Sequence, residues 1–276
     1  MLSRQNTLND LTGRDWIRFT KSWVKCDGRP GDITADIEKH PASFPPDLAE
    51  DFIRFFTKQG QTVLDPFLGC GSTLEACARS GRQCVGVELN PYWVDASRRR
   101  AALLQHETRI IQGSATDLAH HDIGLVDYCI TSPPYFDMLR HSRGGVVSNH
   151  KKRARKGLDV VYSESPDDLG NLATYQDYLD ALARIFQYVH GLLRPGGYLT
   201  VIVQNVRVPD GTLLPLAWDL ARALSPPYRL QQERIWVQDQ KMLGIWGYPT
   251  TYVSNVHHHY CLMFQKAASR PRKPQV

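Results

Sequence analysis

The segment Thr131-Ser132-Pro133-Pro134-Tyr135 holds the residue types best suited to a reaction. It directly follows the apolar run Val126 to Ile130, so it begins where a strand should end. Proline has no N–H and fixes its own φ, and Pro134 forces Pro133 into an extended conformation. What remains is a stiff row of acceptors, the Ser132 hydroxyl oxygen and the Pro133 carbonyl, with the flat ring of Tyr135 beside them. Such a set suits an amine whose lone pair is delocalised into a ring, as on a nucleic-acid base. Acceptors that hold its N–H bonds favour a more tetrahedral nitrogen and aim its lone pair at an electrophilic carbon. That chemistry requires no covalent nucleophile and no metal.

A second cluster lies upstream. Asp65-Pro66-Phe67-Leu68-Gly69-Cys70-Gly71-Ser72 follows a short apolar run and precedes a helical pattern. A strand that ends in a glycine turn and opens a helix presents backbone N–H groups at the carboxyl edge of a sheet, where open α/β sheets bind ligands. Leu74 stands where a dinucleotide fingerprint needs its third glycine, and no GK[ST] is present for a phosphate loop. Glu88 ends the next strand and could accept both hydroxyls of a ribose; a surface glutamate before a helix cap is the alternative. Asp117 follows the third strand and could accept from an adenine amino group, or merely cap a turn.

These residues need elements to hold them. An amphipathic helix should begin at Pro46. Strands are predicted at Thr62–Leu64, Gln83–Val87, Arg109–Gln112 and Val126–Ile130, with helices at about 73–79 and from Asn90-Pro91 to about Gln105. A helical stripe runs from Tyr175 to Val189, followed by a strand at Tyr198–Val203, a helix near 214–224, and strands near 230–237 and 260–264. Alternation at this spacing means βαβ units and a largely parallel sheet. Residues 1–37 read as an N-terminal arm, 38–266 as the main domain, and 267–276 as a disordered tail. The chain has 276 residues, 42% hydrophobic and 22% charged, which is ordinary for a globular protein. No run of eighteen apolar residues suggests a membrane span. Six cysteines without a CxxC pair read as buried free thiols in a reducing cytoplasm.

The net charge of +5 is unevenly spread. Between Asp137 and Asp159 there is no carboxylate, yet Arg140, Arg143, Lys151, Lys152, Arg153, Arg155 and Lys156 all fall there. The polar stretch 136–173 that contains them suggests a polyanionic partner, with a solvated loop as the alternative. Adjacent histidines 257–259 on a strand alternate faces, so they are not a metal site. Arg98-Arg99-Arg100 reads as a solvated helix face. Trp236, Trp246, Tyr248 and Tyr252 could wall a base, although core packing is the ordinary role for most of them.

The glycine turn followed by the Ser-Pro-Pro-Tyr loop resembles the amino-methyltransferase family that modifies DNA at cytosine N4 or adenine N6. His40-Pro41-Ala42-Ser43-Phe44-Pro45-Pro46 is similar to that family's segment against the methionine part of its cofactor, and His259 to Phe264 to its final strand. The resemblance spans roughly residues 38 to 266. It implies an α/β fold: a single Rossmann-like methyltransferase domain with a mostly parallel seven-stranded sheet and helices on both faces. It implies S-adenosylmethionine as cofactor, held by Pro41, Ser43, Phe44, Asp65, Pro66, Phe67, Gly69, Gly71, Ser72, Leu89 and Thr131, with Glu88 on the ribose and Asp117 on the adenine. Ser132, Pro133, Pro134 and Tyr135 would be catalytic, and Ser132 favours cytosine N4 over adenine N6. Double-stranded DNA with a flipped base would be the partner, gripped by the seven basic residues, and a cognate endonuclease could act alongside.

In many relatives with this loop it precedes the cofactor motif, whereas here it follows, so class within the family does not give the target sequence; with no large separate recognition domain expected, recognition falls to 136–173 and Gln238 to Asn255. RNA or a protein amide as methyl acceptor, and a catalytically silent DNA-binding subunit, are the alternatives; the intact loop and glycine turn argue against the silent subunit.

Overall fold

A computed structural model describes residues 6–27, 43–134, 136, 168–208, 211–245 and 247–267. Pro41, Tyr135, Trp246, the seven basic residues between 140 and 156, and the tail 268–276 lie outside the described residues.

The alternating pattern folds into one large sheet. Its strands are β1 (Trp23–Lys25), β2 (Thr62–Asp65), β3 (Gln83–Glu88), β4 (Thr108–Gln112), β5 (Val126–Thr131), β6 (Leu193–Val203), β9 (Tyr228–Val237) and β10 (His258–Lys266). Their order is β1-β9-β10-β6-β5-β2-β3-β4, and β10 alone runs against the rest. The chain builds outward from β2 through β3 to β4, then returns to place β5 and β6 on the other side of β2. The switch point therefore lies between β2 and β5, where a parallel sheet opens a crevice at its carboxyl edge. A short hairpin, β7 (Val206–Arg207) with β8 (Leu213–Leu214), stands apart from the sheet.

Helices cover both faces. On one, α2 (Pro46–Phe56) buries Leu48, Phe52, Ile53 and Phe56 beside α3 (Ser72–Ser80) and α4 (Pro91–Leu103). On the other, α5 (Tyr175–Leu192) buries Tyr178, Leu182, Ile185, Phe186 and Val189 beside α6 (Leu216–Ala223). Proline at the first position of α2 and α4, and the Thr174 hydroxyl accepting from Asp177 N at the start of α5, fix where these helices begin.

The sheet has eight strands among the described residues, not the seven expected. The additional one is β1, from the N-terminal arm. That arm also forms α1 (Gly13–Phe19), whose Phe19 stacks on Phe55 at 3.9 Å, while the buried Asn9 amide donates to the Phe55 carbonyl at 2.6 Å. A three-residue strand is too short to show a period, so only its pairing with β9 reveals it.

Arg98 and Arg99 are exposed as expected, but Arg100 is buried, its Nε 3.6 Å from Glu75 Oε2. Glu75 also pairs with Arg79, which reaches Asp47 at 2.9 Å, so ions tie α2, α3 and α4 together. Five cysteines are buried and Cys26 is half-buried, all as free thiols. Among the described residues, no helix is long and apolar enough to cross a membrane and no cluster of His, Cys, Asp or Glu could hold a metal ion.

Candidate active site

A cleft open to solvent lies at the carboxyl ends of β2, β3, β4 and β5. Its floor is the turn between β2 and α3. Leu68 N donates to the Val87 carbonyl at 2.9 Å and Gly71 N to the Leu68 carbonyl at 3.0 Å, so the turn is pinned to β3 and closes on itself. Close approach makes Gly86 necessary here, because a Cβ on it would lie 2.5 Å from Leu68 Cδ2. Gly71 has φ +90°, which a side chain would strain. Its missing Cβ faces Ser97 Oγ at 3.1 Å and Leu74, so it allows α4 to pack rather than leaving room for a ligand, which corrects its expected place in the cofactor site. Pro66, Phe67, Gly69 and Ser72 do line the cleft, with Ser43 and Phe44 from the segment before α2.

Glu88 also lines the cleft. Its Oε2 accepts from Gly69 N and its Oε1 from Asn90 N, each at 2.8 Å. Burial raises its pKa above the usual carboxylate range, and these N–H bonds oppose that rise. Each oxygen keeps a further lone pair, so a held carboxylate stands ready for two hydroxyls. Leu89 lies next to it on the wall.

Asp65 and Thr131 were expected against a ligand, and the structure turns both inward. Asp65 is 1% exposed. Its Oδ1 accepts from Phe67 N at 3.0 Å and from Thr131 Oγ1 at 2.6 Å, and its Oδ2 from Thr73 Oγ1 at 2.5 Å. Burial pushes its pKa up to about 6 against the pull of these donors. One carboxylate thus joins the end of β2, the start of α3 and the end of β5, locking the glycine turn to the strand that carries the Ser-Pro-Pro loop.

Asp117 does not line the cleft; Ser114, Ala115 and Thr116 do. Ser114 caps the 3₁₀ turn Ala115–His120 through Thr116 N, at 3.2 Å. Asp117 is the next residue, where the backbone departs from helical geometry at φ −102° and ψ 17°, and it is exposed.

Ser132, Pro133 and Pro134 form the wall after β5. The Tyr178 hydroxyl of α5 donates to the Pro134 carbonyl at 2.7 Å, anchoring the loop from beneath. That bond fixes the Pro134 carbonyl, with Ser132 and Pro133 lining the cleft beside it. Asp168 and Leu169 complete this side, and the buried Asp168 accepts from Gly170 N at 2.9 Å. Sequence reasoning missed both, together with Leu68, Cys70 and Trp93. Asp168 before Leu169-Gly170 carried a cap signal inside an otherwise polar stretch.

Residues 3–99 match the N6/N4 methyltransferase family model described as DNA methylase. That match contains the glycine turn and Glu88 and stops short of the Ser-Pro-Pro loop. The chain is 42% identical over 76 residues to the type II methyltransferase M.Cfr9I of Citrobacter freundii, covering 28% of this chain and 25% of that protein. It is 44% identical over 101 residues to the type II methyltransferase M.MjaI of Methanocaldococcus jannaschii, covering 33% of each. The matches thus span a quarter to a third of the length of these curated relatives. TrmN from Thermus thermophilus shares the fold, with a TM-score of 0.51 at 18% identity over 85% of this chain and 51% of that one. The architecture is the Rossmann-like fold that TrmN shares, and residues 3–99 of the chain that adopts it are similar to the DNA methylase family model.

Proposed function

We propose that this protein binds S-adenosylmethionine in the cleft and methylates the exocyclic amino group of a base in DNA, cytosine N4 in preference to adenine N6. The observation that carries the reading is the convergence of two halves on one cleft: a carboxylate held by backbone N–H groups over a glycine turn, and a proline-stiffened row of acceptors across from it. The family match and the type II methyltransferase relatives support DNA as the acceptor.

The cleft suits the cofactor. Glu88 would take the ribose hydroxyls, Ser114 and Thr116 would face the base, and Ser43, Phe44, Pro66 to Cys70 and Ser72 would hold the remainder. When bound, the cofactor supplies an electrophilic methyl group on a sulfonium. The chain's own residues position the acceptor. Ser132 Oγ and the Pro133 carbonyl take the N–H bonds of the target amine and aim its lone pair, with Tyr178 fixing the loop. The amine is buried in a paired duplex, so the nucleotide must leave the stack to enter the cleft. Tyr135 would stack on it, and Arg140, Arg143, Lys151, Lys152, Arg153, Arg155 and Lys156 would meet the phosphates.

Incubation with unmethylated genomic DNA and S-adenosylmethionine, followed by nucleoside mass spectrometry, tests the reading. N4-methylcytosine is the expected product; N6-methyladenine alone would overturn the choice of base, and an unmodified product would overturn the activity. Glu88→Ala should weaken cofactor binding by about 1–3 kcal/mol, the value of charge-assisted hydrogen bonds. Calorimetric titration showing wild-type affinity would remove Glu88 from the site.

A further inference from the structure

The loop between β9 and β10 has a feature that the cleft does not use. Met242, Leu243, Ile245, Tyr248 and Tyr252 are 94, 77, 86, 82 and 91% exposed, a concentration of large apolar side chains that no core explains. Core packing does account for Trp236, which is 4% exposed with the His259 ring tilted against it at 4.7 Å, but not for these two tyrosines.

The loop is built rather than slack. At its base Gln238 N donates to the His257 carbonyl at 2.7 Å, and Gln204 Nε2 to the His258 carbonyl at 3.0 Å. Further out, the Asn255 side chain accepts from Gly244 N at 2.8 Å and donates to the Gly244 carbonyl at 3.0 Å, closing the neck of the loop as a ladder rung would. Beyond the neck, Thr250 N and Thr251 N both donate to the Gly247 carbonyl in a tight turn.

Its position follows from register. Thr131 pairs with Val201, Tyr260 with both Val203 and Ile235, and Val237 with His258. The loop therefore leaves the sheet at the same edge as the Ser-Pro-Pro loop, two to three strands away. At about 4.8 Å per strand that is roughly 10–14 Å, within the width of a duplex. The glycine turn and Glu88 occupy the other flank, over β2 and β3, so the β6–β10–β9 side is where the rest of a base's polymer must lie. Charge agrees with such a partner. No Asp or Glu occurs from Gln240 to Val276, and Asp239 just before is paired with Lys25 at 2.9 Å.

We propose that the 244–255 loop is an apolar finger that enters a groove of duplex DNA beside the target base and helps part the stack. The inference rests on the DNA-methylation reading. Apolar wedges of this kind contact sugars and base faces rather than phosphates, and unstack a step. Their contribution should therefore be independent of salt, unlike that of Lys or Arg on the backbone.

The test compares three proteins, the wild type, the combined variant Ile245→Ala, Tyr248→Ala, Tyr252→Ala, and a variant with Lys151, Lys152 and Arg153 neutralised. Affinity for a duplex containing the target is measured against salt, with single-turnover methylation of a paired and a mismatched target. The finger variant should lose about tenfold or more in duplex affinity at every salt concentration, with the slope of log affinity against log salt unchanged. It should recover most of its methylation rate when the target base is mismatched and needs no parting. The lysine and arginine variant should flatten the slope instead. Wild-type affinity and rate in the finger variant, an altered salt slope, or an equal loss on the mismatched target would each overturn the proposal. So would a change of sedimentation behaviour with duplex affinity intact, which would assign the loop to a second copy of the chain. A wild-type protein that methylates no DNA would refute the underlying activity instead, a result separate from all of these.

Discussion

Ser132→Ala should slow methyl transfer by about 100-fold, or ~3 kcal/mol, the cost of removing one preorganised polar group from a reaction centre. The expectation follows from the small number of acceptors available. Tyr178 fixes the Pro134 carbonyl and prolines at 133 and 134 carry no polar side chain, so Ser132 Oγ is the one side-chain oxygen among the described loop residues 132–134 that line the cleft. Ser132 is only half-buried, and its loss leaves no large cavity, so fold and cofactor affinity should persist. Single-turnover kinetics with saturating cofactor and DNA isolate the step. A wild-type rate there would show that the amine is oriented by other groups.

Asp65→Ala should destabilise the fold by about 3 kcal/mol or more. Two hydroxyls and one backbone N–H would lose their acceptor where water does not reach, at roughly 1–3 kcal/mol each, offset in part by removing a buried charge. Asp65→Asn keeps an acceptor oxygen and should be milder, which makes it the better probe of protonation. The folded pKa of about 6 exceeds the ordinary value of 3.8, so between those pH values the native state holds a proton that the unfolded chain releases. Stability from this group is greatest below pH 3.8 and declines as pH rises through 6. The stability of the wild type relative to Asp65→Asn should therefore fall by about 2–3 kcal/mol from pH 4 to pH 7. Urea denaturation of both proteins at each pH gives the comparison. Parallel pH dependences would mean that Asp65 is charged throughout.

Much of this arrangement was legible in the sequence because its signals are local. Proline at the start of α2 and α4, the stripe of α5 and the apolar runs of β2, β3 and β5 each arise from neighbours a few residues apart. The cleft residues Pro66, Phe67, Gly69, Ser72, Glu88, and Ser132 to Pro134 stood out for the same reason, since each lies where a strand ends in an unusual turn. What was missed depends on distance or on phase. β1 is recognisable only through its partner β9. Arg100 sits on a charged stretch of helix yet finds Glu75 on α3. Asp117 lies one residue beyond Thr116, the last of its turn to line the cleft, a phase that a strand-end aspartate does not reveal by type alone. Asp65 is assigned to the cofactor by the family resemblance, and only the hydroxyls of Thr73 and Thr131 reveal its inward turn.

The lock between Leu68 and Gly86 has a thermodynamic consequence. A glycine-rich loop free in solution would have to surrender its conformational freedom on capturing a ligand, at about 1–2 kcal/mol for each backbone residue ordered. Here Leu68 is 4% exposed and fills the space left by the missing side chain of Gly86, so the core holds the turn in place before any ligand arrives. The loop's ordering is thus charged to folding rather than to association, and the favourable energy of the contacts made in the cleft is left to appear as affinity.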